Sequence, residues 1–230
     1  MSMEIRIYSG GAARAALKPL AAEFERVTGQ RLAFTFDGVS AIRQRLASGE
    51  NADVILLPTP MLDSMGTAVL PGSRMLLARS AIGVAVRKGA APCDVSTTEA
   101  LRTSLLAAGS IAYSDPKLAP SGIHLDKVLA NLGIAEAVQP KTTLRTPFDG
   151  GVALVANGEV EMGIYLVSEI QMVEGVTLAG LLPSELQSYV VYAGAVAANS
   201  TSQDVALAFL RFLADPAGRD HWNAAGFESV

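Results

Sequence analysis

The chain has 230 residues, half of them hydrophobic and 17% charged, with a formal net charge of −4. That much apolar material excludes a disordered chain and suits a packed α/β protein of one large domain or two lobes. The weak acidity, with a pI near 5.2, excludes bulk nucleic-acid binding and leaves room for a local anion cradle.

The first apolar strand, from Ile5, runs into Ser9-Gly10-Gly11-Ala12, and a helix leaves that turn at once. From Ala13 the apolar positions Ala16, Leu17, Leu20, Ala21 and Phe24 keep the spacing of a half-buried helix. A helix start leaves backbone N–H groups unpaired at its partly positive end, and glycines let an anion approach them closely. Leu32 to Phe36 alternates as a second strand. Asp37-Gly38-Val39-Ser40 is a second strand-to-helix turn, with Ser40 expected to cap a helix over 41–48. Ala52 to Leu57 is a continuous apolar run, as in a parallel strand buried on both faces. Thr59-Pro60 then starts a short helix, Thr59 as its cap. Three strand–helix units in succession imply a parallel sheet.

A second set of similar size follows. Ser80 to Val86 is a long strand, and Ser96-Thr97-Thr98-Glu99 predicts a capping box opening a helix to about 108. Ser110 to Ser114 is a strand, and Pro120-Ser121-Gly122 opens a helix. Val138 to Leu144 reads as a strand, and Phe148-Asp149-Gly150-Gly151 precedes a short helix to Asn157. Strands are expected over 161–166, 176–181 and 189–196, then a helix around Phe209 and a last one holding Trp222. Two strands, near 80–86 and 189–196, are the candidate crossings between the two sets.

Cys93 is the single cysteine, so no internal disulfide forms; it sits in a loop-like stretch and reads as structural. One cysteine and two distant histidines build no metal cluster, and no cofactor is expected. The longest apolar runs, about nine residues, predict no transmembrane segment. The start Met1-Ser2-Met3-Glu4 lacks the basic and apolar regions of a secretion signal. The expected location is therefore the cytoplasm as written, or the periplasm if a leader has been removed.

The sequence resembles the periplasmic molybdate-binding protein family, within the type 2 substrate-binding fold. The likeness rests on short anchors in order: Ile7-Tyr8-Ser9-Gly10-Gly11-Ala12, Leu46-Ala47-Ser48-Gly49, Ala52-Asp53-Val54-Ile55, Ser114-Asp115-Pro116 with Pro120-Ser121-Gly122-Ile123, Ala153 to Glu159, Met162-Gly163-Ile164-Tyr165 and Tyr189 to Tyr192. It implies a two-lobed α/β fold, each lobe a mostly parallel sheet flanked by helices, with a ligand cleft between lobes. Lobe 1 would be residues 1–82 plus 190–230, lobe 2 residues 83–189, and the hinge the two crossing strands. It also implies an anion site at Ser9, Gly10, Gly11, Ala12, Arg14, Val39, Ser40, Ser121, Gly122, Phe148 and Tyr165.

This chain departs from the family pattern where side-chain hydroxyls are expected. Ala12 stands in the first turn, Val39 beside Ser40 in the second, and Leu166 beside Tyr165. Each missing donor weakens a bound oxyanion by roughly 1–3 kcal/mol. The expected ligand is therefore a small organic anion, such as a di- or tricarboxylate, within reach of Arg14, Ser121, His124 and Tyr165, with Lys117 steering it. The resulting expectation is a solute-binding protein, its partners a small anion and an ABC-transporter permease. The alternative is an isomerase of an unsaturated tricarboxylate such as aconitate, with His124 or Glu169 as base. A third reading is a ligand-sensing domain, for which a preceding helix-turn-helix is expected. His221, beside Trp222, reads as structural, and Glu169 as a helix cap or a solvent-facing residue if it is not the base.

Overall fold

In the computed structural model, residues 4–145 and 150–230 are described, Val39 by its backbone alone. In chain order the elements are β1 (Glu4–Ser9), α1 (Arg14–Thr28), β2 (Arg31–Phe36), α2 (Val39–Ala47), β3 (Val54–Pro58), α3 (Thr59–Asp63), β4 (Met75–Arg87), α4 (Thr98–Ala107), β5 (Ile111–Tyr113) and α5 (Pro120–Asn131). Then follow α6 (Ala135–Val138), β6 (Thr142–Leu144), α7 (Gly151–Asn157), β7 (Met162–Leu166), α8 (Val167–Ile170), β8 (Val176–Leu181), β9 (Tyr189–Val196), α9 (Gln203–Ala214) and α10 (Arg219–Ala224). The chain divides into two compact units. Unit 1 holds the residues up to Arg79 and those from Val191 onward, and unit 2 holds Ser80–Val190. Strands β4 and β9 each carry residues of both.

Unit 1 is built on β1, which pairs in parallel with β2 on one side and β3 on the other. Strand β3 then pairs antiparallel with β9. All five residues of β3 are buried, which accounts for its unbroken apolar sequence. Helix α1 turns Ala16, Leu17, Leu20 and Phe24 inward, and Phe24 meets Phe209 of α9 edge-on at 5.1 Å. Gly29, in the left-handed conformation, ends α1. The residues that follow α10 return to β4. Arg79 and Glu228 exchange backbone bonds of 2.9 and 2.7 Å, and their side chains pair at 3.0 Å.

Unit 2 repeats this plan. Strand β5 pairs in parallel with β6 and β7, β7 pairs antiparallel with β4, and β8 adds to the other side of β4. Its core gathers Ala85, Ala112, Val152, Val155, Val160, Tyr165 and Ile170. Among the described residues, no helix is long and apolar enough to cross a membrane.

Several local expectations shift. Helix α2 is capped by Gly38, so Ser40 is its second residue and caps nothing. Backbone extension at Gly38 begins the helix two residues earlier than the serine suggests. Thr97, not Ser96, caps α4 by accepting from the Ala100 N–H. Pro58, not Thr59, is the cap residue of α3. The stretch read as one strand from Val138 is the end of α6, a 3-10 turn and the three-residue β6. Helix α8, only four residues, is too short to show periodicity.

Candidate functional site

In unit 1 the carboxyl ends of β1, β2 and β3 are laced together by backbone bonds. Gly10 N–H donates to Leu56 O at 3.0 Å and Asp37 N–H to Ser9 O at 3.1 Å. Gly10 is extended, at φ −63° and ψ 145°, and caps a 3-10 turn, Gly11–Ala13, with no side-chain cap. The Ser9 hydroxyl is fully buried and donates to Gly10 O at 3.0 Å, so its proton is already engaged. Ala12 is buried, and Arg14 is exposed at the start of α1. The Arg14 guanidinium lies 4.7 Å from the ring centre of Phe36, the last residue of β2. This parks a positive charge at the strand ends. Beside it stands a negative one: Asp37, whose carboxylate accepts from Gly38 N–H at 2.8 Å and from Arg45 at 3.4 Å. Arg45 also holds Glu50, which accepts the Tyr8 hydroxyl at 2.7 Å. Ser40 is exposed on α2.

In unit 2, β5 leads into Ser114, and the chain returns through a loop to Pro120 at the first position of α5. Ser121 and Gly122 are buried in the first turn of that helix. A side chain at Gly122 would collide with the Ser114 carbonyl and lie 2.8 Å from Pro116 N. The glycine therefore lets α5 press against the turn that ends β5. Among the described residues, the Ser114 hydroxyl is buried without a hydrogen-bond partner. So is the Tyr165 hydroxyl on β7, the strand beside β5. The Ser168 hydroxyl on α8 is a third. Burial pushes the Tyr165 phenol well above its ordinary range, the negative field of Glu169 adds to this, and Arg145 opposes it. The phenol is thus a neutral donor at every physiological pH.

Glu169 is buried, and its carboxylate accepts Leu166 N–H at 3.3 Å, closing the first turn of α8. Burial pushes its carboxyl up to about 7, with the Leu166 bond pulling the other way. A carboxyl poised there suits proton transfer at neutral pH. The His124 Nε2 lies 2.7 Å from Leu186 O, so that nitrogen carries the proton and only Nδ1 remains as a base. Lys117 is exposed on its loop. In unit 1, His221 pairs with Glu23 at 3.4 Å. Phe148 lies outside the described residues, and of Val39 only the backbone is described. Among the described residues, no group of three or more His, Cys, Asp or Glu is placed to hold a metal.

Sequence reading names both first turns, Ser9–Ala12 and Ser121–Gly122, as well as Tyr165, as candidates. It does not select Ser114 or Arg145. Ser114 stands inside a quoted anchor, but only burial shows that its hydroxyl lacks a partner. Arg145 carries no local signal, because its place follows from the ending of β6.

Two α/β units, each with three parallel strands beside an antiparallel strand, define the two-lobed fold of periplasmic binding proteins. The chain belongs to the family of bacterial extracellular solute-binding proteins, which it matches over residues 5–228. It is 32% identical over 218 residues to an aconitate isomerase of a Pseudomonas species, covering 91% of this chain and 82% of that one. It is 24% identical over 228 residues to the molybdate-binding protein of Escherichia coli K12, covering 97% and 88%. Among solved structures it is similar to the periplasmic molybdate-binding protein of Azotobacter vinelandii, at a TM-score of 0.81 and 18% identity, covering 97% of this chain and 98% of that one.

Proposed function

We propose that the protein captures a small organic polycarboxylate, as the binding component that delivers it to an ABC-type permease. The observation that carries this reading is the pair of buried, unpartnered hydroxyls, Ser114 and Tyr165, near the carboxyl ends of adjacent strands. A buried hydroxyl left unbonded costs roughly 1–3 kcal/mol, and a ligand rich in acceptor oxygens relieves that cost. A tetrahedral oxyanion is a poorer fit, because Ala12 and Leu166 bring no hydroxyl and that of Ser9 is already committed. The 32% relative named for aconitate supports the same ligand class.

A second reading, isomerisation of an unsaturated tricarboxylate, is favoured by Glu169. Its carboxylate form would take a proton from the carbon next to a substrate carboxylate. The same proton, returned at the far end of the allylic system, moves the double bond with no net change in atoms or electrons. The test of both readings is a thermal-shift screen with citrate, cis- and trans-aconitate, molybdate and sulfate. A ligand at a hundred times its dissociation constant stabilises by about 2.7 kcal/mol. Incubating cis-aconitate with the protein in D2O, followed by NMR, then separates the readings. Stabilisation without a trans product supports capture alone, and conversion to the trans product, with or without deuterium, supports isomerisation. Stabilisation by molybdate or sulfate and by none of the carboxylates sinks both.

A further inference from the structure

The carboxyl end of β6 carries a cation whose charge sets unit 2 apart from unit 1. Asp37 N–H donates to Ser9 O, and Arg145 N–H donates to Tyr113 O, both at 3.1 Å. Ser9 and Tyr113 are the last residues of their units' central parallel strands, facing Phe36 and Leu144 in register. Asp37 and Arg145 therefore occupy equivalent places, and the sign of the charge is reversed. Arg145 is exposed, and among the described residues no carboxylate pairs with it.

Two groups meet beside it. A side chain built on Gly151 would overlap the Tyr165 hydroxyl and would come within 3.1 Å of the Arg145 Cβ. Only a glycine leaves the Tyr165 phenol and the Arg145 stem side by side. The phenol oxygen, fully buried, ends there with its proton unclaimed among the described residues.

We infer that Arg145 and the Tyr165 hydroxyl form a carboxylate subsite, which selects ligands by the number of their carboxylates. It rests on the polycarboxylate reading and supplies the residues that make the choice. A guanidinium offers two parallel N–H donors that match the two oxygens of a planar carboxylate, and the phenol adds a third donor to one of them. A tetrahedral oxyanion does not match that planar fork as well. Lysine at 145 keeps the charge without the fork.

The test is calorimetric titration of citrate, tricarballylate and its two-carboxylate analogue glutarate into the wild type, Arg145→Gln, Arg145→Lys, Tyr165→Phe and Gly151→Ala. Loss of a charge-assisted bond predicts a 10- to 100-fold weaker tricarboxylate affinity for Arg145→Gln, equivalent to about 1.4–2.8 kcal/mol. Tyr165→Phe is expected to lose about 5- to 10-fold. Arg145→Lys falls between the wild type and Arg145→Gln, and Gly151→Ala, by displacing the phenol, follows Tyr165→Phe. Removing one carboxylate from the ligand costs the wild type affinity and costs Arg145→Gln much less, since a cycle between paired groups shows coupling. Melting curves establish that each variant is folded; the first is an exposed change and Tyr165→Phe an isosteric one. If the wild type binds no polycarboxylate, the functional reading fails and the subsite with it. If the wild type binds tricarboxylates and Arg145→Gln and Tyr165→Phe bind them within twofold as tightly, the subsite alone is overturned.

Discussion

Leu57 and Tyr165 occupy matching places in the two units, as do Gly10 and Ser114, Met61 and Glu169, and Asp37 and Arg145. The correspondence follows from register and from helix starts. Pro58 faces Tyr192 and caps α3, while Leu166 faces Ile82 and caps α8. Unit 1 fills these places with apolar or self-satisfied groups: Met61 is a hydrocarbon-like neighbour, and Asp37 is held by Gly38 and Arg45. Unit 2 fills them with a buried acid and, among the described residues, two buried hydroxyls without partners and an unpaired cation. The same backbone plan therefore supports a settled set of strand ends in one unit and a set with unmet hydrogen-bonding capacity in the other. Unmet capacity is destabilising without a partner, which is why it points to a ligand rather than to folding.

Gly122→Ala tests the difference most severely. Its side chain would meet the Ser114 carbonyl and the backbone of 115 and 116, none of which is a flexible tip, so a loss of about 3 kcal/mol or more is expected in urea unfolding. Gly10→Ala in unit 1 meets only side-chain atoms at 3.7 Å or beyond and keeps an ordinary φ, so it is expected to change stability by less than about 0.5 kcal/mol. Equal losses from both would erase the contrast.

Glu169 gives the next largest effect, and its sign is fixed by protonation. The folded protein holds the carboxyl at about 7 against 4.5 for a free group, so the folded state binds the proton more tightly than the unfolded state. The contribution of this group is fully present below 4.5, falls as the pH rises toward 7, and levels off above that, a total of about 3 kcal/mol. Melting temperatures between pH 4 and pH 8 read this slope directly. Glu169→Gln, which keeps the side-chain shape without the proton, should flatten it. A slope unchanged in that variant assigns the pH dependence elsewhere.

The hydroxyls give opposite signs at about 1 kcal/mol. Tyr165→Phe removes a group with no partner, so the ligand-free protein should melt higher. Ser9→Ala leaves the Gly10 carbonyl without the hydroxyl donor and should melt lower. The smallest expected effect is Asp37→Asn, a half-exposed ion pair worth about 0.5 kcal/mol at most, measured at low and high salt.

Much of the plan was legible in the chain. The strand over 189–196, the strand over 176–181 and the buried run of β3 follow from apolar patterning, because those strands are long or wholly enclosed. Helix starts were less legible. Gly38 and Pro58 cap helices without a side-chain bond, so the nearby Ser40 and Thr59 drew the reading away from them. For the candidate site, glycine-serine turns are visible in the sequence, whereas Ser114 and Arg145 are singled out only by what surrounds them. Burial without a partner, and equivalence between distant strand ends, are properties of the packed molecule.

The bond between Arg79 and Glu228 has a kinetic meaning. Ser80–Val190 is one uninterrupted stretch, but the other unit closes only when residues almost 150 positions apart find each other. Joining ends across so long a separation slows the search. The uninterrupted stretch is expected to acquire its amide protection first during refolding, in pulse-labelled hydrogen exchange, and during synthesis it can mature while the last helices are still within the ribosome.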